Sequence, residues 1–459
     1  MVLFGESTGP LFRASASGGA CMPATQLGPG ESSNNAPYFL PDGRHFLFFS
    51  RTQVDNGTGV IWAGSLDSRD RVQLTQSTSA AIYAGSAVGP GYLLFTSQGV
   101  MVAQPFDPAR VRFSGDPEPI PGLPRARATN ANGGPSVSVS ADGTLVFRDV
   151  NESAELAWFD RTGKRLGSVA KVDAYSHLSL SPDQKRVVYT AQDPNTGSVD
   201  LWIGDLTHET RTRFTFESLN STAIPIWSQD GTRIAFSATS KQSNSVRQWV
   251  IRQRLANAAT TDEVLVRSDN WMIPSSWSPD GQFLVYHEND PKTGWDLRVI
   301  SASGDRKPRV FLQTPFREGN GKVSPDGRWI AYSSNESGQS EIYVRTFPEP
   351  NGGKWLISSG GGDQPTWNQN GRELFYLSPD MKVMSVEILK SAGALEYGRP
   401  KVVFQRPPAG LRYTNLALDY AVTSDGQRFL ANTVLEEADT SPIIVITNWT
   451  SRLKTAPKK

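Results

Sequence analysis

One short phrase recurs along the chain and limits what it can fold into: an extended stretch, then Ser-Pro-Asp-Gly or a variant, then an apolar strand. The fullest copies are Trp277-Ser278-Pro279-Asp280-Gly281 before Phe283-Leu284-Val285-Tyr286, and Val323-Ser324-Pro325-Asp326-Gly327 before Trp329-Ile330-Ala331-Tyr332. Proline presets φ at the second turn position, aspartate accepts the next, and glycine takes the left-handed conformation that closes a tight hairpin. Weaker copies centre on Asp42-Gly43, Asp142-Gly143, Asp183-Gln184, Asp230-Gly231, Asn370-Gly371 and Asp425-Gly426. A degenerate copy, Gly89-Pro90-Gly91, precedes Tyr92-Leu93-Leu94-Phe95. Gln184 stands where glycine belongs, which predicts a strained turn or one of another type.

Successive copies lie 41 to 55 residues apart, close to the period of a four-stranded blade. In several copies the first hairpin is followed by a second one. Asp193-Pro194-Asn195-Thr196-Gly197 leads into Asp200-Leu201-Trp202-Ile203, Asp290-Pro291-Lys292-Thr293-Gly294 into Asp296-Leu297-Arg298-Val299, and Asn335-Glu336-Ser337-Gly338 into Glu341-Ile342-Tyr343-Val344. Strands such as Arg186-Val187-Val188-Tyr189-Thr190 are short, rich in β-branched and aromatic residues, and bounded by turn residues. Sustained helical spacing is nearly absent. The fold class expected is all-β: a β-propeller of four-stranded antiparallel blades, about eight in one ring, the alternative being a six-bladed ring built from Asp183 onward with remnants of a second. Residues 1–35 read as partial repeat strands, 36–449 as the propeller, and 450–459 as a polar basic tail.

The copies resemble the PD40 (WD40-like) repeats of the TolB-type propellers. The run from Pro37 to Trp449 also resembles the propeller region at the C-terminal end of some bacterial serine/threonine protein kinases. The residues that carry this include Phe39-Leu40-Pro41-Asp42-Gly43-Arg44-His45-Phe46-Leu47, Leu156-Ala157-Trp158-Phe159-Asp160-Arg161-Thr162-Gly163-Lys164, Lys292-Thr293-Gly294-Trp295-Asp296-Leu297, Gly304-Asp305-Arg306-Lys307-Pro308 and Gly353-Lys354-Trp355. The resemblance implies a sensory or interaction module, placed beyond a membrane when it belongs to such a receptor and in the periplasm when it is a stand-alone scaffold. The incomplete first repeat favours the reading as part of a receptor.

Chemistry is harder to find. The kinase motifs (a glycine-rich phosphate loop, His-Arg-Asp, Asp-Phe-Gly) do not occur, and Gly360-Gly361-Gly362-Asp363 leads into a strand rather than a helix. There is no Gly-x-Ser-x-Gly elbow. The expectation is therefore a chain that is not an enzyme, with no catalytic residues, no cofactor and no metal, the alternative being a metal-dependent lyase or hydrolase with its site in the funnel of the ring, for which His177 is the residue to test. The only histidines are His45, His177, His208 and His287, and both His45 and His287 sit beside hydrophobic strands, where satisfied structural roles are expected. Charge balance, 46 Lys and Arg against 45 Asp and Glu, argues against nucleic acid as the main partner. No apolar run reaches the length of a membrane span, the first residues show no export signal, and the single Cys21 leaves the compartment open.

The partner expected is a protein or peptide, with a small ligand as the other possibility. Trp202, Trp227, Trp277, Trp367 and Tyr343 read as equivalent core positions between blades. Binding candidates are instead the residues just before each innermost strand, where the connections open around the axis: Tyr175, His177, Trp271, Arg317, Glu318, Asp363 and Tyr413.

Overall fold

The computed structural model describes residues 1–5, 9–52, 59–85, 91–97, 100–123, 137–140, 143–148, 154–172, 175–192, 199–216, 223–241, 247–257, 261–390, 394–407, 420–434 and 443–453. Among these the chain is all strand and turn, with one 3-10 turn at Trp449–Arg452 and no α-helix. No helix is long and apolar enough to cross a membrane.

The chain divides into two compact units, residues 152–439 and residues 1–151 with 440–459. In the first of these, six antiparallel sheets follow one another. Blade 1 comprises Tyr175–Leu180, Arg186–Gln192, Val199–Asp205 and Thr210–Arg213. Blade 2 comprises Pro225–Trp227, Arg233–Lys241, Arg247–Leu255 and Glu263–Ser268, and blade 3 Met272–Trp277, Phe283–Asp290, Gly294–Ser301 and Arg309–Leu312. Blade 4 comprises Glu318–Val323, Trp329–Ser334, Glu341–Thr346 and Lys354–Leu356. Blade 5 runs Asp363–Trp367, Glu373–Leu377 and Lys382–Lys390, the last pairing with both Glu396–Tyr397 and Lys401–Gln405.

Blade 6 is assembled from both ends of the unit. Tyr420–Val422 and Arg428–Val434 continue outward into Ala154–Asp160 and Arg165–Val172, with Ala154 opposite Val434 and Asp160 opposite Arg428. A cyclic core follows from this closure. Val188 and Leu201 of blade 1 pack on Trp227 and Ile234 of blade 2, which presents Ile226 and Ala235 to Met272 and Trp277 of blade 3. Val285 and Leu297 meet Val323 and Ile330 of blade 4, and Trp329 and Ile342 meet Leu374 and Tyr376 of blade 5. Phe375 packs on Phe429 of blade 6, whose Leu156 and Leu430 return to Leu178 and Tyr189 of blade 1. Six inter-sheet layers thus join six sheets in a closed β-propeller, leaving neither first nor last sheet with an open face.

The single ring of about eight blades is corrected by this pairing: the ring has six blades, on the turns from Asp183 onward. Repeat spacing counts hairpins, but closure depends on which distant strands pair. Turns near residues 42 and 142 belong to the other unit. That unit contains the sheets Val2–Gly5, Leu11–Ala14, Met22–Pro23 and Glu31–Phe39, His45–Thr52, Gly59–Ser65, Arg71–Ser77. Its third sheet is ordered Ile82–Ala84, Gly91–Ser97, Val100–Asp107, with Arg112–Phe113 and Glu118–Pro119 both on the last of these. Its fourth joins Val137–Val139 and Leu145–Arg148 to Ile443–Ile446, from the far end of the chain.

The repeated turns behave as their spelling requires. In the ring, hydroxyls of Ser181, Ser228, Ser278, Ser324 and Thr423 donate to Asp183, Asp230, Asp280, Asp326 and Asp425 at 2.5–2.6 Å. Gly231, Gly281, Gly327, Gly371 and Gly426 hold φ between 65° and 72°, and Gln184 is forced to φ 59° in the same place. The five named core aromatics prove to be two sets. Trp227, Trp277 and Trp367 end innermost strands, whereas Trp202 and Tyr343 lie on third strands opposite Tyr189 and Tyr332.

Candidate functional site

The turns just described crowd one end of the ring. The other end carries the links into each innermost strand and the hairpins between second and third strands. There the innermost strands lose register: the pairing shifts between Tyr175 and Leu178, Pro274 and Ser276, Gly319 and Lys322, and Asp363 and Thr366. Asn320 and Gln364 take φ 55° within these bulges. A bulge re-aims side chains and frees backbone groups, so this is the end where the repeat departs from a pure ladder.

Blades 2 to 4 concentrate aromatic and charged groups there. Trp249, at the start of a third strand, stacks on Trp271 at 5.6 Å between ring centroids. Trp271 meets Trp295 edge-on at 5.0 Å, and Trp295 meets the His287 ring at 5.3 Å. The three indoles are half-buried, and beneath them lie Ile224 and Ile273. The buried Trp271 Nε1 has no hydrogen-bond partner among the described residues. Its carbonyl accepts from the Asn289 amide at 2.9 Å, which fixes the link against the second strand.

His287 lies opposite Leu297 and shares the face of blade 3 that Val285 and Leu297 turn toward blade 4. It is 1 % exposed, and neither ring nitrogen has a partner among the described residues. Burial, with the charges of Arg317 and Lys322 added, holds its pKa down at about 3, so the ring is neutral at physiological pH. The satisfied structural histidine expected here is therefore corrected: the buried imidazole packs edge-on against Trp295 and its ring nitrogens have no hydrogen-bond partner among the described residues. His45, by contrast, is bound to Asp42 at 2.5 Å.

Across the seam, Glu318 begins the innermost strand of blade 4 opposite Ser334. It is 1 % exposed; Oε1 accepts from the Thr314 hydroxyl, while Oε2 has no hydrogen-bond partner among the described residues. Burial pushes the carboxyl up to about 7, and the nearby charges of Asp296 and Glu336 act in the same direction. Arg317 is held through its amide, which donates to Asn335 Oδ1 at 2.8 Å, and its half-buried guanidinium makes no hydrogen bond or ion pair among the described residues. Lys322, past the bulge, donates from Nζ to the Ser275 carbonyl at 2.5 Å, and desolvation lowers its ammonium to about 8.

The third-strand acids show how this seam differs. Asp200 takes Thr215 Oγ1 at 2.8 Å on one oxygen and Arg213 at 2.5 Å on the other. Glu341 accepts from Ser358 on one oxygen and from the Gly361 amide at 2.9 Å on the other. Asp296 receives Thr293 at 2.8 Å and Gln313 at 2.7 Å on Oδ2 alone, leaves Oδ1 without a partner, and is pushed up by burial.

Of the residues singled out from sequence, Trp271 packs with Trp249 and Trp295 between blades 2 and 3, while Arg317 and Glu318 stand at the start of blade 4, with the Arg317 charge acting on His287. Asp363 starts the innermost strand of blade 5 and is tied to blade 4 by Asn320, whose side-chain amide donates to it at 2.8 Å. Tyr175 and His177 lie in blade 1; Tyr175 is opposite Ala191, and His177 is buried. Tyr413 lies outside the described residues. Trp249, Trp295, His287 and Lys322 were missed. Among the described residues no three His, Cys, Asp or Glu side chains converge as a metal site would need.

No family model and no curated protein matches the chain. Solved structures do. A protein assigned as TolB in Agrobacterium tumefaciens aligns with 17% identity over 62% of this chain and 98% of its own, at a TM-score of 0.47. TolB from Acinetobacter baumannii aligns with 15% identity over 71% of this chain and 82% of its own, TM-score 0.42. A puromycin-hydrolyzing peptidase of Mycobacterium tuberculosis aligns with 13% identity over 84% of this chain and 55% of its own, TM-score 0.36. At such values the likeness carries no argument of its own, and the propeller assignment rests on the six-sheet closure. The expectation that the chain is not an enzyme is corrected by the last match. Similar folds occur in hydrolases, so the absence of familiar motifs from this sequence is no ground for excluding catalysis.

Proposed function

We propose that the six-bladed ring is an interaction scaffold that takes a protein or peptide partner on the end bearing Trp249, Trp271, Trp295 and Arg317. The observation that carries this reading is the row of three half-buried, mutually packed indoles, together with a guanidinium at the start of blade 4 that has no partner among the described residues. Tryptophan and arginine are among the residues most enriched where a few contacts dominate binding: tryptophan presents a large area with few torsions to freeze, and arginine a planar fork of donors. The buried, unpartnered Trp271 Nε1 and His287 nitrogens support it, because such groups are uncommon in a finished interior and gain most from a ligand. The resemblance to TolB-type repeats agrees with a scaffold role. A narrower version makes the ring the sensory part of a receptor kinase-like protein, with Asp363 extending the contact face toward blade 5.

The test is affinity capture from the source cells with the wild-type chain and with Trp271→Ala/Arg317→Ala. Partners held by the wild type are expected to weaken by tenfold or more in the double variant, the order of effect that losing two dominant contacts produces. Retention of every partner by the double variant would overturn the assignment. Membrane fractionation and the native size of the protein separate the receptor version from the stand-alone one.

A further inference from the structure

We propose that the hollow between blades 4 and 5, at the turn end of the ring, receives the guanidinium of an arginine side chain presented by a partner polypeptide. The repeat itself supplies the chemistry, because the seam of blades 1 and 2 holds such a group from within the chain. There Arg186, the first residue of its second strand, lies over the Trp227 ring at 4.6 Å and donates from Nη2 to the Gly231 carbonyl at 3.0 Å. The Ser181 hydroxyl and the Arg186 charge both help to hold Asp183, the turn acid of the same blade, below the usual carboxylate range. At the seam of blades 5 and 6, Arg161 likewise donates to the Gly426 carbonyl, at 2.9 Å.

The seam of blades 4 and 5 keeps the partners of that guanidinium and replaces the arginine itself by Trp329. Trp367, Gly371 and Asp326 stand where the other seam has Trp227, Gly231 and Asp183. The two frames correspond: Trp227 Nε1 donates to the Ser179 carbonyl at 3.0 Å and Trp367 Nε1 to the Lys322 carbonyl at 2.9 Å, while Gly231 and Gly371 hold φ 65° and 71°. What remains is a hollow of about 260 Å³ lined by Asp326, Trp329, Trp367, Gly371 and Ile388. That is smaller than the roughly 300–1,000 Å³ of pockets for drug-sized ligands and suits a single side chain. Under Arg186, Trp227 is 6 % exposed, whereas Trp367 is half-buried, and the Gly371 carbonyl accepts no hydrogen bond from the described residues. An indole face, a carbonyl and a carboxylate together favour a planar cation over a compact ammonium. Exposed Arg372 is the other charged residue lining the hollow, and exposed Arg328 stands 3.6 Å from Asp326 Oδ2, so both moderate the attraction without filling the space.

This hollow lies at the other end of the ring from the indole row, so the scaffold reading stands whichever way the following test falls. The probes are acetyl-Arg-amide, acetyl-citrulline-amide (the same shape without the charge), acetyl-Lys-amide and free arginine. Each is titrated into the full chain and read by NMR from the Trp367 indole N–H, assigned with Trp367→Phe. Acetyl-Arg-amide should move that signal and bind about tenfold more tightly than the citrulline and lysine probes, the scale of one stacked, charge-assisted contact. Asp326→Asn keeps an acceptor for Ser324 and should remove most of that advantage. Trp329→Arg supplies the guanidinium from within, as Arg186 does, and should abolish binding; Asp326→Asn carries the test if that variant does not fold. The proposal is overturned if the citrulline or lysine probe binds as tightly, or if no probe moves the Trp367 signal. Binding seen only in Arg372→Gln would overturn it too, by assigning the hollow to the chain's own Arg372. Tighter binding of free arginine than of acetyl-Arg-amide would make the occupant a small molecule and overturn the polypeptide partner.

Discussion

The two ends of the six-bladed ring obey opposite rules. At the turn end the hydroxyl and the aspartate of each turn answer one another: Ser278 Oγ donates to Asp280 at 2.5 Å and accepts the Phe283 amide at 2.9 Å, and the same arrangement recurs in other blades. At the opposite end, blades 3 and 4 leave Glu318 Oε2, Asp296 Oδ1, Trp271 Nε1 and both His287 nitrogens without hydrogen-bond partners among the described residues. Carboxyls record the contrast. Hydroxyls of Ser181, Ser228, Ser278 and Thr423 hold Asp183, Asp230, Asp280 and Asp425 below the usual range, whereas burial lifts Glu318 above it. A repeated structure thus pairs its polar groups in the turns that match and leaves some without partners, among the described residues, in the copy that deviates.

The sharpest way to break this comparison is to damage the seam that holds the deviating copy. A Cβ on Gly321 would meet Ile330 and Leu297 at 3.1 Å and Val285 at 3.3 Å, so Gly321→Val should cost about 3 kcal/mol, read as a lower urea midpoint. An unchanged midpoint would mean that the seam of blades 3 and 4 is loosely packed.

Next in size is Glu318. Its carboxyl ionises near pH 4.5 in an unfolded chain and near 7 in the folded one, so the folded state keeps a proton across that interval. Stability from this group is present below pH 4.5, declines as pH rises to about 7, and is level above. Glu318→Gln should remove that decline and gain about 2 kcal/mol at pH 8 with little change at pH 4, measured by thermal unfolding across pH. Equal effects at both pH values would show that the carboxyl is not desolvated.

The smallest effects belong to the turns. Ser278→Ala loses both bonds of its hydroxyl and should cost about 1 kcal/mol, measured by denaturant unfolding. Because the folded Asp183, Asp230, Asp280 and Asp425 ionise below their unfolded value of about 3.8, their contribution is present above that pH and lost as pH falls through the lower folded values. Ser278→Ala should flatten this acid limb; a limb as steep as in the wild type would mean that the hydroxyl does not hold Asp280 down.

The difference between the ends also explains what could be read in advance. Ser278-Pro279-Asp280-Gly281 and its relatives state their own geometry, since proline, aspartate and glycine each act within four residues. Ring size was not legible, because it depends on Leu156 lying opposite Asn432 across most of the chain. Trp271, Arg317 and Glu318 were found by position alone, just ahead of an innermost strand. Trp295 carried a usable signal: it stands where the repeat has Val199 and Ser340, before the acids Asp296, Asp200 and Glu341. Lys322 did too, as the one charge among Ser179, Ile226, Ser276, Thr366 and Ala421. The stacking of Trp249 on Trp271 joins two blades and has no trace in either strand.

The return of the chain to its earlier unit has a consequence for synthesis. Leu145 to Arg148 must wait for Ile443–Ile446 to complete their sheet, and the whole ring is translated in between. Blade 6 in turn waits for Arg428–Val434 to reach Ala154–Asp160. On the ribosome the ring therefore closes before the unit that was begun first can finish, so Leu145–Arg148 spend the longest time with an unpaired strand edge.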